Sequence, residues 1–297
     1  MTHLVRFLRH GDARPRLGVL GDQHVTELVD HPTLAALLRE PLVTIRALVA
    51  SAPPGGTPLD QVALLPPADG RMEVWAAGVT YERSRDARTE ESSQASVYDL
   101  VYDAERPELF LKAVPWRVVT DCEPIGTRTD SDMDVAEPEL AVVVNADGEV
   151  VGYTACNDVS SRTIEGQNPL YLPQAKIFAG SCALAPGIRP AWEVPDPHRL
   201  TIRVCQTRGS RVVWAQETST ASMRRRIPDL VRWLFLATDF PDGVVLSTGT
   251  GLVPAMDVSL ATGDLVTIDI EGVGSLANPV VTGRDALRRT DPPACGR

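Results

Sequence analysis

Short apolar runs with a strand-like pattern recur from Glu73 onward, separated by clusters of glycine, proline and polar residues. The runs cover residues 74–79, 109–112, 140–144, 150–155, 200–204, 212–217 and 265–271. Helical spacing is clear only in residues 84–91 and in residues 222–238, whose apolar side consists of Ile227, Leu230, Val231, Leu234 and Leu236. The pattern predicts an α+β fold dominated by strands, with a few peripheral helices.

The first 70 residues end in a stretch rich in proline and glycine, residues 52–58, followed by Leu-Leu-Pro-Pro at 64–67. Such a stretch is typical of a linker, so we expect a small N-terminal α/β domain of residues 1–70 before a catalytic domain of residues 71–290. Strands are predicted at residues 5–7, 17–20 and 24–28, and helices at 33–39 and 43–51. Histidines in this region lack metal-ligand spacing, so no chemistry is expected there.

Charge and cysteine content narrow the class of protein. The net charge is -10 and no basic stripe interleaved with aromatic residues occurs, which argues against binding of nucleic acid. Charge interrupts the first ten residues, and no apolar run reaches the roughly 18 residues of a membrane-spanning helix. Five cysteines, odd in number and without CxxC spacing, suggest neither a disulfide framework nor a zinc site. We therefore expect a soluble cytoplasmic protein.

Lysine is almost absent from the chain. Of the 29 basic residues only Lys112 and Lys176 are lysines. An ammonium can lose its proton when it is desolvated near another cation, whereas a guanidinium cannot, so these positions are candidates for acid–base chemistry. The alternative is that two lysines survived a compositional drift by chance.

The segment from Glu137 to Asp158 predicts a cluster of carboxylates. Asn-Ala-Asp-Gly at 145–148 is a turn signal between two apolar runs, so a hairpin is expected, with Glu137 opposite a residue near 156. Glu137 and Glu139 share one face because strand side chains alternate, and Asp158 falls at the same open end of the hairpin. Three carboxylates therefore converge.

Clustered carboxylates repel one another, and a hard divalent cation relieves the repulsion. Oxygen-only ligands suit Mg²⁺, with Mn²⁺ or Ca²⁺ as alternatives. The competing interpretation is a solvated acidic strand end whose carboxylates point apart.

Three further features are candidates for a site. Lys176 lies in an apolar segment that suits a shifted ammonium. Glu108 and Lys112 share strand parity, so they point the same way, although they could instead form a surface ion pair of little consequence. The loop Ser-Thr-Gly-Thr-Gly at 247–251 offers amides and hydroxyls that could hold a carboxylate, a weak signal by itself.

Together these segments resemble the fumarylacetoacetate hydrolase family, from about Trp75 to Val281. The resemblance is carried by Gly-Val-Thr-Tyr at 78–81, Pro-Glu-Leu-Phe-Leu-Lys at 107–112, Glu-Pro-Glu at 137–139, Asn-Asp-Val-Ser-Ser-Arg at 157–162, Lys176, Thr-Gly-Thr-Gly at 248–251, and the stretch from Gly263-Asp to Asn278-Pro. The resemblance implies a mixed β-roll catalytic domain in a homodimer or homotetramer. It also implies Mg²⁺ held by Glu137, Glu139 and Asp158, with Lys176 beside the metal and a small 2-oxo acid as substrate.

Within the family, residues 162–176 and 81–88 resemble the branch of 2-dehydro-3-deoxy-D-arabinonate dehydratases. The resemblance implies an elimination of water in which Lys176 removes the C3 proton and Glu108 protonates the departing C4 hydroxyl. Lys112, Arg83 and Thr250 would position the anionic substrate.

Two alternatives stay open. The first is a hydrolase or decarboxylase of an acylpyruvate or oxaloacetate type, which uses the same metal chemistry. No histidine lies between His31 and His198 to activate water, and this disfavours hydrolysis. The second alternative is a catalytically silent protein that binds ligands on the same fold.

Overall fold

The computed structural model describes residues 1–84 and 100–287. Strands dominate this part of the chain, as the sequence predicts, and the fold class is α+β. The strands are β1 His3–Arg9, β2 Arg16–Gly21, β3 His24–Glu27, β4 Thr57–Pro58, β5 Val62–Leu65, β6 Glu73–Gly78, β7 Glu108–Ala113, β8 Val118–Val119, β9 Ile125–Thr127, β10 Asp134–Val135, β11 Pro138–Val144, β12 Val150–Asp158, β13 Ser160–Ser161, β14 Cys182–Leu184, β15 Gly187–Pro190, β16 Thr201–Arg208, β17 Arg211–Ser219, β18 Val244–Ser247, β19 Asp264–Ile270 and β20 Gly274–Thr282.

The largest sheet joins the N-terminal strands to the later ones. Its order is β4-β3-β2-β1-β15-β12-β11-β18-β6-β7, with β5, β8 and β14 as side branches. Strand β1 pairs antiparallel with β15, so Leu4 lies opposite Ile188. A second sheet has the order β17-β16-β19-β20-β9. The domain boundary proposed at residue 70 stays a prediction. The largest sheet contains strands from both sides of that boundary.

The main apolar core lies between the two sheets. It takes alternate residues from the central hairpin, such as Leu140 and Val142, and packs them against Ile202 and Ile268 of the second sheet. A second core on the other face of the large sheet holds Ala141, together with residues of the two N-terminal helices. The hairpin strands are buried on both faces, which explains their nearly continuous apolar sequence.

The helices in the described residues are short. They are α1 Leu34–Leu37, α2 Leu42–Ser51, α3 Arg162–Gln167, α4 Leu172–Lys176, α5 Ile227–Leu234 and α6 Arg284–Leu287, and residues 82–84 and 100–103 are also helical. Most of the helix predicted at residues 84–91 lies outside the described residues.

Helix α5 is shorter than the predicted span of residues 222–238. It begins after Met223, which forms a β-bridge with Tyr81, and it ends before the exposed Leu236. The predicted apolar side is confirmed for the four residues within the helix, since Ile227, Leu230, Val231 and Leu234 are buried. The long-range bridge to Tyr81 holds Met223 in an extended conformation outside the helix, and Pro228 in the first turn favours the observed start.

The cysteines form no cluster with metal-ligand geometry among the described residues. Cys156, Cys182 and Cys205 are free thiols.

Candidate active site

The β11–β12 hairpin builds the carboxylate cluster, as the sequence predicts. Its turn is closed by Asn145, whose Oδ1 accepts a hydrogen bond from the backbone N–H of Glu149 at 2.8 Å. The register differs by two residues from the predicted one, and the pairing is irregular between Val143 and Val144. As a result the Asp158 N–H donates to the Glu137 carbonyl at 2.9 Å.

This register places three carboxylates side by side. One oxygen from each of Glu137, Glu139 and Asp158 lies within 4.8 Å of the others. All three residues are buried, with exposed fractions of 2%, 2% and 1%. The competing interpretation of a solvated acidic strand end is therefore wrong.

Glu139 is held by donors from the glycine-rich loop that follows β18. Its Oε2 accepts hydrogen bonds from Ser247 Oγ at 2.6 Å and from the Gly249 N–H at 2.8 Å. Gly249 has φ +89°, and a Cβ there would lie 2.1 Å from Thr80 Oγ1. The loop that the sequence suggested for a substrate carboxylate thus directs these two donors to a carboxylate of the protein itself.

Burial raises the pKa of Glu139 well above its usual range, and the nearby Asp158 carboxylate raises it further. The three residues together therefore store electrostatic repulsion that a cation would relieve. The donor set contains only oxygen atoms, which is the ligand chemistry of Mg²⁺. Glu137, Glu139 and Asp158 thus fit a divalent magnesium ion, and they are the residues that would hold it.

Lys176, at the end of α4, lies against this cluster. Its ammonium donates to Glu137 Oε2 at 2.6 Å, to Asp158 Oδ2 at 3.1 Å and to Ser160 Oγ at 2.5 Å. The side chain is 2% exposed and lines the cavity beside the carboxylates. The sequence-based expectation that this lysine lies in the site is supported by these contacts.

Lys112, the other lysine, lies on the far side of Asp158. Its Nζ is 2.5 Å from Asp158 Oδ1 and donates to the carbonyls of Val159 at 2.9 Å and Lys176 at 2.5 Å. The side chain is completely buried and is not part of the described cavity wall. Three protein acceptors therefore surround its ammonium, and the contact of Lys112 with substrate stays a prediction.

Glu108 lines the same cavity, at the start of β7. Its carboxylate lies directly over the backbone of Gly78 on the neighbouring strand β6. A Cβ at Gly78 would lie 1.9 Å from Glu108 Oε2. The missing side chain at residue 78 therefore creates the space that the Glu108 carboxylate occupies.

The other two predicted substrate-binding residues lie in different settings. Thr250 lines the cavity, and its hydroxyl donates to the Pro138 carbonyl at 2.9 Å, which fastens the loop to β11. Arg83 is exposed and lies outside the described cavity wall. Thr250 thus lines the cavity beside the carboxylates, and the contact of Arg83 with substrate stays a prediction.

Two residues without a predicted role also belong to the site. Arg162 and Glu165, on helix α3, are both buried. Arg162 Nη2 donates to Glu137 Oε1 at 2.9 Å, and Glu165 lines the cavity. Their spacing of three residues would place them on one helix face, so recognition of α3 in the sequence could have found them.

Comparison with known proteins agrees with the geometry. A sequence model described as the C-terminal domain of fumarylacetoacetate (FAA) hydrolase matches residues 73–281. A probable 2-keto-3-deoxyxylonate dehydratase from Haloferax volcanii is 48% identical over 210 residues, 71% of this chain and 72% of that protein. A 2-dehydro-3-deoxy-D-arabinonate dehydratase from Saccharolobus solfataricus is 43% identical over 212 residues, 70% of this chain and 71% of that protein.

A solved structure extends the similarity to nearly the whole chain. A 2-keto-3-deoxy-D-arabinonate dehydratase, complexed with magnesium and 2,5-dioxopentanoate, matches with a TM-score of 0.78 and 34% identity. The match covers 96% of this chain and 100% of that chain. The chain therefore belongs to the fumarylacetoacetate hydrolase family.

Proposed function

We propose that the chain is a magnesium-dependent hydro-lyase that removes water from a 2-oxo-3-deoxy sugar acid such as 2-dehydro-3-deoxy-D-arabinonate. The observation that carries the proposal is the buried cluster of Glu137, Glu139 and Asp158, with Lys176 against it and Glu108 on the same cavity wall. The dehydratase names of relatives at 43% and 48% identity support the reaction type. The same relatives give no support to hydrolysis or decarboxylation of an acylpyruvate.

The cluster supplies what the first proton transfer needs. When bound, Mg²⁺ would supply the positive charge that stabilises the enolate formed as C3 loses its proton. Lys176 is the candidate base for that proton, since its Nζ lies within hydrogen-bond reach of the oxygens that would hold the metal. Its apolar neighbour Phe110, with the ring centre 5.7 Å from Nζ, limits access of water.

Departure of the C4 hydroxyl needs a proton donor. Glu108 is the candidate, because it lines the cavity and its carboxylate is fixed over Gly78. Thr250 lines the cavity and remains a candidate contact for the substrate, as does Arg83 from outside the described wall. Lys112 would act indirectly, through Asp158.

The test is turnover of 2-dehydro-3-deoxy-D-arabinonate followed by mass spectrometry, with Mg²⁺ and with EDTA. We expect a product lighter by one water, and no product with EDTA or with Lys176→Ala. Calorimetric titration with Mn²⁺ then checks that Lys176→Ala still binds metal, whereas Glu139→Gln binds it at least about tenfold more weakly. Cleavage of a carbon–carbon bond in an acylpyruvate, with the sugar acid untouched, would overturn the proposal.

We further propose that the protein works as a homodimer or homotetramer in the cytoplasm. In the described residues no helix is both long and apolar enough to cross a membrane. Light scattering coupled to size-exclusion chromatography measures the mass of the assembly directly. A monomer at micromolar concentration would contradict the proposed assembly.

A further inference from the structure

The chain leaves the large sheet after Gly78 and returns to it at Glu108. Both ends of this excursion contribute to the cavity, through Val79 and Ser84 at the departure and Glu108 at the return. The described part of the cavity has a volume of about 20 Å³, close to that of a single water molecule. The positions of these two ends of the excursion therefore determine part of the cavity shape that a substrate would meet.

A short segment, Met223 to Arg225, contacts both ends at once, and we call it the arginine strap. At the departure, Met223 forms a β-bridge with Tyr81, and the Arg224 N–H donates to the Thr80 carbonyl at 3.0 Å. The strap is itself anchored, because Met223 is buried in the main core and helix α5 follows directly.

The return end is fastened by the two arginine side chains. Arg224 Nη1 lies 2.7 Å from Asp103 Oδ1, and its guanidinium lies 4.5 Å from the centre of the Tyr102 ring. Tyr102 in turn packs against Val79, so the return end rests on the departure end. Arg224 is half-exposed, and an ion pair in that setting contributes little by itself.

Arg225 makes the stronger connection, because it reaches three backbone carbonyls. Nη2 donates to Val101 at 3.0 Å and to Ala104 at 2.7 Å, and Nη1 donates to Glu105 at 2.9 Å. Residues 100–103 are helical, and the last carbonyls of a helix have no partner within it. A cation at this end also interacts favourably with the helix dipole. One guanidinium thus caps the helical turn that precedes β7.

We propose that Arg225 is a positioning residue for the reaction: by capping the turn at residues 100–104 it fixes Glu108 relative to the metal-binding carboxylates. A lysine cannot replace it, since one ammonium on a flexible stem does not match three carbonyls that a planar guanidinium fork can reach together. The inference rests on the proposed function in taking this cavity as the reaction site.

The test compares Arg225→Met with Arg226→Met, a matched control. Arg226 is the next residue, is exposed, and sits at the start of α5 without a side-chain capping bond. In metal-free enzyme we expect amides of residues 100–106 to exchange hydrogen at least about tenfold faster in Arg225→Met, and unchanged in Arg226→Met. Arg225→Lys should fall between the two.

Kinetics complete the test. With the sugar acid, Arg225→Met should lower kcat/KM on the order of tenfold, while its Mn²⁺ affinity stays that of the wild type. Equal exchange in the two variants would overturn the capping role, and faster exchange with unchanged kinetics would overturn the positioning role. A wild-type enzyme that does not turn over the sugar acid would contradict the proposed function instead, and the exchange comparison would still decide the capping role.

Discussion

Substitution of Lys112 by methionine removes a buried ammonium whose three acceptors belong to Asp158, the adjacent Val159 and the more distant Lys176. The Asp158 carboxylate loses its nearer cation, at 2.5 Å, and keeps only Lys176 Nζ at 3.1 Å, and loss of one member of a buried ion pair costs about 3–5 kcal/mol. The Val159 carbonyl loses a donor at 2.9 Å, which costs about 1–3 kcal/mol when no water replaces it. The Lys176 carbonyl keeps a second donor, Ser181 Oγ at 2.9 Å, so its loss is smaller.

We therefore expect Lys112→Met to lose about 4–8 kcal/mol of the free energy of unfolding, against a total of about 5–15 kcal/mol for a typical domain. Urea unfolding followed by tryptophan fluorescence measures this loss, in EDTA because a bound metal would stabilise the folded state. Lys112→Arg should also be destabilised, since a planar guanidinium cannot surround itself with the same three acceptors.

Two further variants test whether the loss of stability comes from the charge left on Asp158 or from the introduction of methionine in general. Adding Asp158→Asn to Lys112→Met removes the uncompensated charge, so the double variant should be more stable than the single one. Arg211→Met, on an exposed position of β17, should change stability by less than about 0.5 kcal/mol. Lys112→Met that unfolds within about 1 kcal/mol of wild type, or a double variant no more stable than the single, would refute the reasoning.

Two other predictions follow from the geometry. Gly78→Ala should displace the Glu108 carboxylate, because the added Cβ would lie 1.9 Å from the end of that flexible side chain. We expect kcat to fall at least about tenfold with little change in the urea midpoint. An unchanged kcat would contradict this. Hydrogen bonding from Arg71 lowers the pKa of Asp242 from 3.8 to about 2. The carboxylate therefore stabilises the fold above about pH 4, and this stabilisation is lost as the pH falls toward 2. The difference in urea midpoint between wild type and Asp242→Asn should shrink over that range, and a constant difference would contradict it.

The carboxylate cluster could be predicted from sequence because its signals are local. A turn motif and strand alternation are enough to bring Glu137, Glu139 and Asp158 to one end of a hairpin. The predicted register differs from the observed one by two residues at the open end of the hairpin, and the irregular pairing between Val143 and Val144, which the sequence pattern does not show, accounts for one of them. In the observed register the backbones of Glu137 and Asp158 are hydrogen-bonded to each other, which brings their carboxylates together.

The scarcity of lysine also pointed to the site. The expected reason for a lysine, loss of a proton from its ammonium, is kept for only one of the two. Lys176 lies among the carboxylates and remains the candidate base. For Lys112 the structure supplies a different reason for lysine, a compact cation with three acceptors around one nitrogen. Proton loss is not needed to explain that position, and composition alone cannot tell the two reasons apart.

Contacts between distant parts of the chain account for most of what sequence missed. The exclusion of Met223 from helix α5 depends on its bridge with Tyr81. The role of Arg225 depends on carbonyls more than a hundred residues away. Neither pairing has a local signal in the sequence.

The position of β1 inside the large sheet has a consequence for how the protein is made. Strand β1 lies next to β15, whose residues leave the ribosome long after it, and β6 pairs with the still later β18. Strands β1 to β5 can pair among themselves early, but the edge of β1 that meets β15 and the edge of β6 that meets β18 lack their partners until residues 187–188 and 244–247 have been synthesised. The large sheet is therefore completed only after most of the chain has been made, and such pairing between distant segments is slow.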